Sequence, residues 1–297
     1  MFPTPIERTS RPWQITYQTL LPLALILWLL PLIAVAIFSV KPDSDFANAN
    51  YWGWPSSFEG FTNYALVFTG SDMPQYLLNS FKITIPTVIG AVGLSCMTGF
   101  ALGIYKFKAN IWLFFMFVAG NFVPFQILMV PVRDLTLQMG LYNTITGLVL
   151  FHIAFQTGFC TLFMRNFIRA LPFELIEAAR VEGVSEWRIF WYVVLPLMKP
   201  AIAALSVLIF TFIWNDYFWA VVLTQGVESQ PVTAGITSFN AQYRAAYHLM
   251  SAGSIVAALP PVAMFFLMQR HFIAGLTLGA ALPPVAMFFL MQRHFIA

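Results

Sequence analysis

The length of the apolar runs constrains this chain more than any other feature, since several of them extend for about 20 residues with few charges. The hydrocarbon core of a bilayer is about 30 Å thick, and a helix needs roughly 20 apolar residues to cross it. Inside the bilayer such a run must satisfy its own backbone hydrogen bonds, which favours helices. Hydrophobic residues are 59% and charged residues 9% of the chain, against about 45–50% and about 25% in soluble domains. The sequence therefore predicts an all-α membrane protein.

The positions of these runs predict six transmembrane helices. The predicted spans cover approximately residues 20–40, 80–105, 111–132, 145–163, 201–223 and 249–268. The first run is longer than the about 7–15 residues of a signal-peptide core, so we interpret it as an uncleaved helix. Cys96 and Cys160 both fall within predicted spans. Buried thiols of this kind are typical packing residues, so no disulfide is expected.

The distribution of basic residues predicts which side of the membrane each loop faces. With the N-terminus in the cytoplasm, the cytoplasmic segments contain Arg8, Arg11, Lys106, Lys108, Arg165, Arg169, Arg180, Arg188, Lys199 and Arg270. The outer segments then contain only Lys41, Lys82, Arg133 and Arg244. Cytoplasmic loops of membrane proteins carry the excess of lysine and arginine. The pattern therefore predicts a multi-pass membrane protein with a cytoplasmic N-terminus.

A polar segment, residues 171–200, separates the fourth and fifth predicted spans on the cytoplasmic side. Pro172 favours the first turn of a helix, where a missing N–H is tolerated. Gly183 can end that helix in a left-handed conformation. Ser185 is a suitable N-cap for a second helix, which returns to the membrane at Pro196. The segment is therefore predicted to be a helix–turn–helix.

Motifs for catalysis are missing from the sequence. It contains neither a G-x-x-x-x-G-K-[ST] phosphate loop nor a G-x-G-x-x-G turn. No nucleophilic triad is recognisable, and no Cys or His spacing suits a metal. A basic tract interleaved with aromatics, which would indicate nucleic-acid binding, is also missing. The chain is therefore predicted not to be an enzyme and to have no catalytic residues.

A transporter with these spans would need a source of energy, and the charged residues indicate which one. Gradient-driven carriers usually place ionisable residues inside their spans, and Asp216 is the only acid close to a predicted span. This favours transport that is driven by another subunit. A gradient-driven secondary carrier and a non-transporting membrane scaffold stay open as alternatives.

The polar segment resembles the E-A-A loop of ABC importer permeases, whose pattern is E-A-A-x3-G-x9-I-x-L-P. The residues that match are Glu177, Ala178, Ala179, Gly183, Leu195 and Pro196. The one departure is Val193, which replaces isoleucine. The resemblance extends over about residues 12–280 and is similar to the maltose-type sugar permeases with six spans. In that family, the short helix of this loop couples the permease to a cytoplasmic ATPase subunit.

The resemblance implies several partners for this chain. A second permease chain would complete a heterodimer around one pathway, and two cytoplasmic ATPase subunits would bind ATP and Mg²⁺. A substrate-binding protein would deliver cargo at the periplasmic or extracytoplasmic face. This chain itself would hold no cofactor and no metal, would contact membrane lipid and would bind no nucleic acid.

Polar side chains within or next to the spans are candidates for the substrate pathway. They are Asn121, Gln126, His152, Gln156, Thr157 and Asn215. Such groups can hydrogen-bond sugar hydroxyls, but they can equally form contacts between helices, and both interpretations stay open. The resemblance implies an oligosaccharide, and the chain is also similar to permeases of alginate importers. An ABC permease for a non-sugar solute remains an alternative.

The C-terminal part of the chain contains an identical repeat. Residues 281–297 copy residues 258–274 without a single change. Structural repeats normally diverge and recur more than twice, so this pair indicates a recent duplication at the DNA level or an error in the sequence. The permease domain is therefore predicted to be residues 1–280, with 171–200 as its coupling loop.

The second copy of the repeat is predicted to have no function. Deleting residues 281–297 should leave solute uptake unchanged, because the first copy already completes the sixth predicted span. Uptake by cells that contain equal amounts of the full and shortened chains in their membranes measures this. A shortened chain that is present but inactive would contradict the prediction.

Overall fold

A computed structural model of the chain describes residues 10–237, 239 and 246–280, with side chains of the last helix described as far as Gln269. The contacts divide the chain into two units. The first comprises residues up to Ser71 together with Ile236–Val256, and the second comprises Asp72–Gly235 together with the residues from Ala257 onward. Residues 281–297, Arg8 and Arg244 lie outside the described residues, so the predictions made for them stay predictions.

The first unit contains a long exposed helix and a loop closed by polar contacts. Helix α1 is Arg11–Phe38, α2 is Asp43–Ala47, α3 is Gly60–Thr69, and the start of the last helix belongs to this unit. The buried Lys41 Nζ donates to the carbonyl oxygens of Asn50 and Tyr51, at 2.6 and 3.1 Å. Asn63 Nδ2 donates to the carbonyls of Ser39 and Lys41. The two bonds from Lys41 Nζ satisfy a buried ammonium group that would otherwise be costly.

Two long helices, α4 (Met73–Ile104) and α7 (Ile145–Arg169), form the centre of the second unit. They pack so closely that a Cβ placed on Gly99 would lie 2.9 Å from the Cβ of Met164. Only glycine permits this approach, which is the role of small residues between membrane helices. Cys96 and Cys160 are buried in the same core, and neither forms a disulfide. The packing role predicted for both thiols is therefore confirmed.

Shorter helices surround this pair. They are α5 (Asn110–Gly120), α6 (Met129–Gln138), α8 (Phe173–Val181), α9 (Glu186–Ile189), a π-helical turn (Phe190–Val194), α10 (Leu195–Leu197), α11 (Lys199–Trp214), α12 (Phe218–Leu223) and α13 (Val232–Gly235). The last helix, α14, is Tyr247–Ala280. The predicted all-α membrane class is confirmed.

Four helices are long and apolar enough to cross a membrane among the residues described. They are Arg11–Phe38, Met73–Ile104, Ile145–Arg169 and Tyr247–Gln269. A fifth span results if Glu186–Leu197 and Lys199–Trp214, which are bent by 73°, are counted as one. The described helices therefore account for four or five spans, and the predicted total of six transmembrane helices stays a prediction.

Two predicted spans are interrupted in the structure. Residues 111–132 are divided because α5 ends at Gly120 and α6 begins only at Met129. Pro124 lies in this gap, and a proline disfavours helical geometry at the residue before it. Residues 201–223 are divided at Asn215–Tyr217, where the Asp216 carboxylate accepts the backbone N–H groups of Trp219 and Ala220 and so begins α12.

Candidate coupling loop and interior polar site

The predicted coupling loop folds as two helices joined by a left-handed glycine. The first helix, α8, occupies Phe173–Val181, between the predicted start and end signals at Pro172 and Gly183, and Pro172 takes the N-cap position. Gly183 has a φ of +74°. Ser185 is the N-cap of α9 as predicted, with extended backbone, but its hydroxyl makes no capping hydrogen bond. The sequence signals therefore locate the turn, although one side-chain contact is missing.

Two backbone hydrogen bonds close the turn at Gly183. The Val184 N–H donates to the Ala179 carbonyl at 3.1 Å, and the Gly183 N–H donates to the Arg180 carbonyl at 3.0 Å. This pair of bonds defines a Schellman motif, in which the residue after the C-cap is left-handed. A Cβ on Gly183 would meet nothing within 4 Å. Glycine is therefore required here by backbone conformation and not by lack of space.

A bidentate ion pair fixes the angle between the two helices of the loop. Arg180 Nε and Nη2 donate to Glu186 Oε1 and Oε2, at 2.6 and 3.1 Å. The Tyr105 hydroxyl donates to the same Glu186 Oε2 at 2.8 Å. Burial, and after it the hydrogen bond to Glu186, raises the pKa of Tyr105 to about 12. Tyr105 is therefore a neutral donor that ties the loop to the end of α4.

The residues of the E-A-A pattern differ in exposure. Glu177, Ala178 and Gly183 are exposed, whereas Ala179 packs partly against the core. Ile176, on the opposite face of α8, is only 2% exposed. At the end of the pattern, Leu195 is half-buried and Pro196 is exposed. The loop thus anchors one face of α8 and leaves the other face accessible to a partner.

We expect the loop to loosen when this ion pair is removed. Arg180→Met should increase amide hydrogen exchange in residues 173–197 by about two- to fivefold, because an exposed pair contributes at most about 1 kcal/mol. Arg180 and Glu186 are 32% and 41% exposed, which limits the effect. Arg188→Met is the matched control, since Arg188 is also exposed on the loop. Equal exchange in the two variants would show that the pair does not hold the loop.

An interior polar site is formed on α7 and at the beginning of α12. His152 and Gln156 are one helical turn apart on α7 and are 1% and 5% exposed. The His152 Nε2 atom lies 3.5 Å from Asp216 Oδ2. The ring of Phe151 packs on Trp219, with centroids 4.1 Å apart. This contact holds α12 against α7, and so Asp216 reaches His152.

Unpaired polar atoms distinguish this site from ordinary helix packing. Among the described residues, nothing hydrogen-bonds either ring nitrogen of His152 or the Nε2 atom of Gln156. A buried donor without a partner costs roughly 1–3 kcal/mol. These groups therefore suit a polar solute that brings hydrogen bonds to the site.

The other candidates for the substrate pathway are placed differently. Thr157 is buried at the edge of the site, but its hydroxyl donates to the Ile153 carbonyl of its own helix. Asn121 and Asn215 likewise donate to carbonyls four residues earlier. Gln126 and Asn215 are exposed. The structure thus brings together His152 and Gln156 of the predicted set.

Sequence reasoning missed Asp216 as a member of this site. The available signal was its position as the only acid inside a predicted span. It also missed Tyr105 and Glu186 as contacts of the coupling loop, since nothing in the local sequence indicates their pairing over 81 positions.

Comparison with known families gives one match that covers most of the chain. Residues 91–278 match the family described as binding-protein-dependent transport system inner membrane component. This match includes the coupling loop, the interior polar site and the C-terminal part of α4, from residue 91 to Ile104. Residues before position 91 lie outside it.

Two similar proteins extend the match toward the N-terminus. The osmoprotective compounds uptake permease protein GgtD of Synechocystis is 32% identical over 256 residues, which cover 84% of this chain and 86% of that protein. The arabinooligosaccharides transport system permease protein AraQ of Halalkalibacterium halodurans is 31% identical over 249 residues, with 83% and 88% covered.

A solved structure shares the fold at lower sequence identity. It is a chain of a bacterial ABC transporter involved in the import of the acidic polysaccharide alginate. The TM-score is 0.75 at 20% identity, with 92% of this chain and 99% of that chain covered. At 20% identity, this similarity shows a shared fold and nothing about the transported solute.

Proposed function

Because this chain belongs to the family of binding-protein-dependent transport system inner membrane components, we propose that it is a permease subunit of an ATP-driven oligosaccharide importer. It is a multi-pass inner-membrane component and not an enzyme. The observation that supports the proposal most is the coupling loop, which combines the E-A-A pattern with a Schellman turn at Gly183 and an exposed face on α8. Such a rigid rod can transmit movement, because its hydrogen bonds are internal.

We further propose the partners that this loop requires. The exposed face with Glu177 and Ala178 docks on a cytoplasmic ATPase subunit, and two such subunits bind ATP and Mg²⁺. A second permease chain forms a heterodimer with this one around the pathway. A substrate-binding protein delivers the solute from the extracytoplasmic side, and the N-terminus lies in the cytoplasm. The absence of a phosphate loop in the sequence supports an ATPase on a separate chain.

The interior polar site supports a sugar as the transported solute. His152 Nδ1 and Gln156 Nε2 accept or donate no hydrogen bond within the described residues, and Asp216 adds a carboxylate beside His152 Nε2, a set that suits hydroxyl groups. The printed name of AraQ concerns arabinooligosaccharides, which is consistent with this choice. A neutral sugar is favoured over an acidic one such as alginate. The Asp216 carboxylate lies 3.5 Å from His152 Nε2, so its negative charge would oppose an acidic sugar at the imidazole.

A gradient-driven carrier is the second candidate function, and the buried His152–Asp216 pair is the observation that favours it. Ionisable residues inside membrane proteins commonly mark proton relays. Uptake into vesicles separates the two functions. The chain, purified with co-expressed partner subunits, should import a labelled oligosaccharide only with ATP and binding protein present. Uptake driven by a proton gradient, without any ATPase subunit, would overturn the proposal.

Gln156 offers a direct test of the interior site. Gln156→Leu should lower the uptake rate at limiting sugar about five- to thirtyfold, because one lost hydrogen bond to a solute costs about 1–2 kcal/mol. Thr157→Val is the matched control, since the Thr157 hydroxyl bonds its own helix. Initial uptake rates at equal membrane levels measure the effect. If both variants lose uptake equally, Gln156 has a packing role only.

A further inference from the structure

A cavity of about 590 Å³ opens where α4 and α7 end beside the coupling loop. Four basic residues line it: Lys106, Lys108, Arg165 and Arg169. No aspartate or glutamate lines this cavity among the described residues. Apolar side chains such as Phe107 and Ile111 line the same cavity and are 43% and 46% exposed. The cavity thus combines concentrated positive charge with accessible apolar surface.

Arg165 is the member of this group that most needs an anion. Its side chain is buried, and the residue is 7% exposed. Nε donates to the Leu102 carbonyl at 3.1 Å, and the guanidinium lies 3.9 Å from the centre of the Phe114 ring. Within the described chain no carboxylate forms a salt bridge with Arg165 or with the three other bases. A buried charge without a counter-ion is strongly unfavourable.

The position of the cavity points to the source of the anion. It lies at the ends of two helices that are long enough to cross a membrane, so it is at the level of lipid headgroups. Basic pockets between transmembrane helices attract anionic headgroups, and each lysine or arginine near the surface contributes about 1 kcal/mol. The exposed Phe107 and Ile111 side chains can contact acyl chains beside the bases. A soluble anion would use the charges but not this apolar surface.

We propose that this cavity binds the headgroup of an anionic phospholipid, with the phosphate next to Arg165 and Arg169. The site does not depend on which solute is transported. It adjoins Leu171 and Phe173 at the start of the coupling loop, so a bound lipid would contact the loop directly. The orientation proposed for the chain places the lipid in the cytoplasmic leaflet.

Native mass spectrometry of the complex purified from nanodiscs tests the site. The full chain with its co-expressed subunits is placed in phosphatidylglycerol or in phosphatidylcholine nanodiscs. The mass spectrum then gives the amount of lipid that stays bound to the released complex. Lys106→Gln and Arg169→Gln should each reduce retained phosphatidylglycerol about fivefold, because both residues are exposed and their replacement spares the core. Lys82→Gln is the matched control, since Lys82 is exposed on α4 outside the cavity.

The outcomes are distinct. The proposal is supported if the cavity variants lose phosphatidylglycerol while Lys82→Gln retains it normally. The amount of retained phosphatidylcholine should not differ among the variants. Equal retention in all variants overturns it. The proposal is also wrong if the unsubstituted complex retains added inorganic phosphate but no phosphatidylglycerol. If the variants lose a protein subunit and keep the lipid, the cavity binds an acidic protein segment instead, and the proposal is wrong.

Discussion

Replacing Gly183 by valine should strongly reduce sugar uptake while ATP hydrolysis by the assembled transporter continues. Gly183 has a φ of +74°, and a left-handed conformation costs an ordinary residue roughly 1–2 kcal/mol, with more strain for a β-branched one. The loop would then lose the two hydrogen bonds of its turn. We expect at least about a five- to thirtyfold fall in uptake for each ATP hydrolysed. Parallel measurement of both rates in vesicles gives this ratio.

Gly226→Val is the matched control for this substitution. Gly226 also has a positive φ, of +80°, and a Cβ there would meet nothing within 4 Å. The backbone strain is therefore the same, but the residue lies outside the coupling loop. If Gly226→Val uncouples hydrolysis from uptake as strongly as Gly183→Val, general destabilisation explains the effect. The coupling role of the turn would then be wrong.

Glu177→Lys should weaken assembly with the ATPase subunit without changing membrane insertion. Glu177 is exposed on α8 and does not share the burial of its neighbour Ile176, so its replacement leaves the core intact. A reversed charge within a docking surface opposes a partner that complements the original charge, and this costs several kcal/mol. We expect at least a roughly tenfold loss of co-purified ATPase, which corresponds to about 1.4 kcal/mol.

Two further variants make this experiment specific. Glu177→Gln removes the charge without reversing it and should give an intermediate loss. Glu228→Lys makes the same reversal at an exposed glutamate outside the loop and should leave co-purification unchanged. Full recovery of the ATPase with Glu177→Lys would exclude α8 as the docking helix.

The coupling loop was predictable because its signals are local. Pro172, Gly183 and Ser185 act on the backbone within a few residues of themselves, so their spacing fixes the ends of α8 and the turn. The long spans were predictable for a similar reason, since α4 and α7 are continuous apolar runs. Gly99 lets these two helices approach closely at Met164, because small residues permit close packing between membrane helices.

The interior site and the broken spans were not predictable in the same way. Hydropathy made residues 201–223 one run, but Asp216 caps a new helix there with its own carboxylate. Its approach to His152 depends on the packing of Trp219 against Phe151. Such pairings join residues far apart in the sequence, and apolar periodicity does not encode them. The same holds for Tyr105 and Glu186.

The contact between α4 and α7 has a mechanical consequence. Helices that touch backbone to backbone, as at Gly99, resist bending between their ends and move as one stiff bar. His152 and Ile168 are separated on α7 by about 24 Å of helix axis. A tilt of about 5° at the loop end would shift the His152 end by about 2 Å. We therefore expect the pair of helices to behave as a lever, so that a small movement beside Phe173 would displace the polar site.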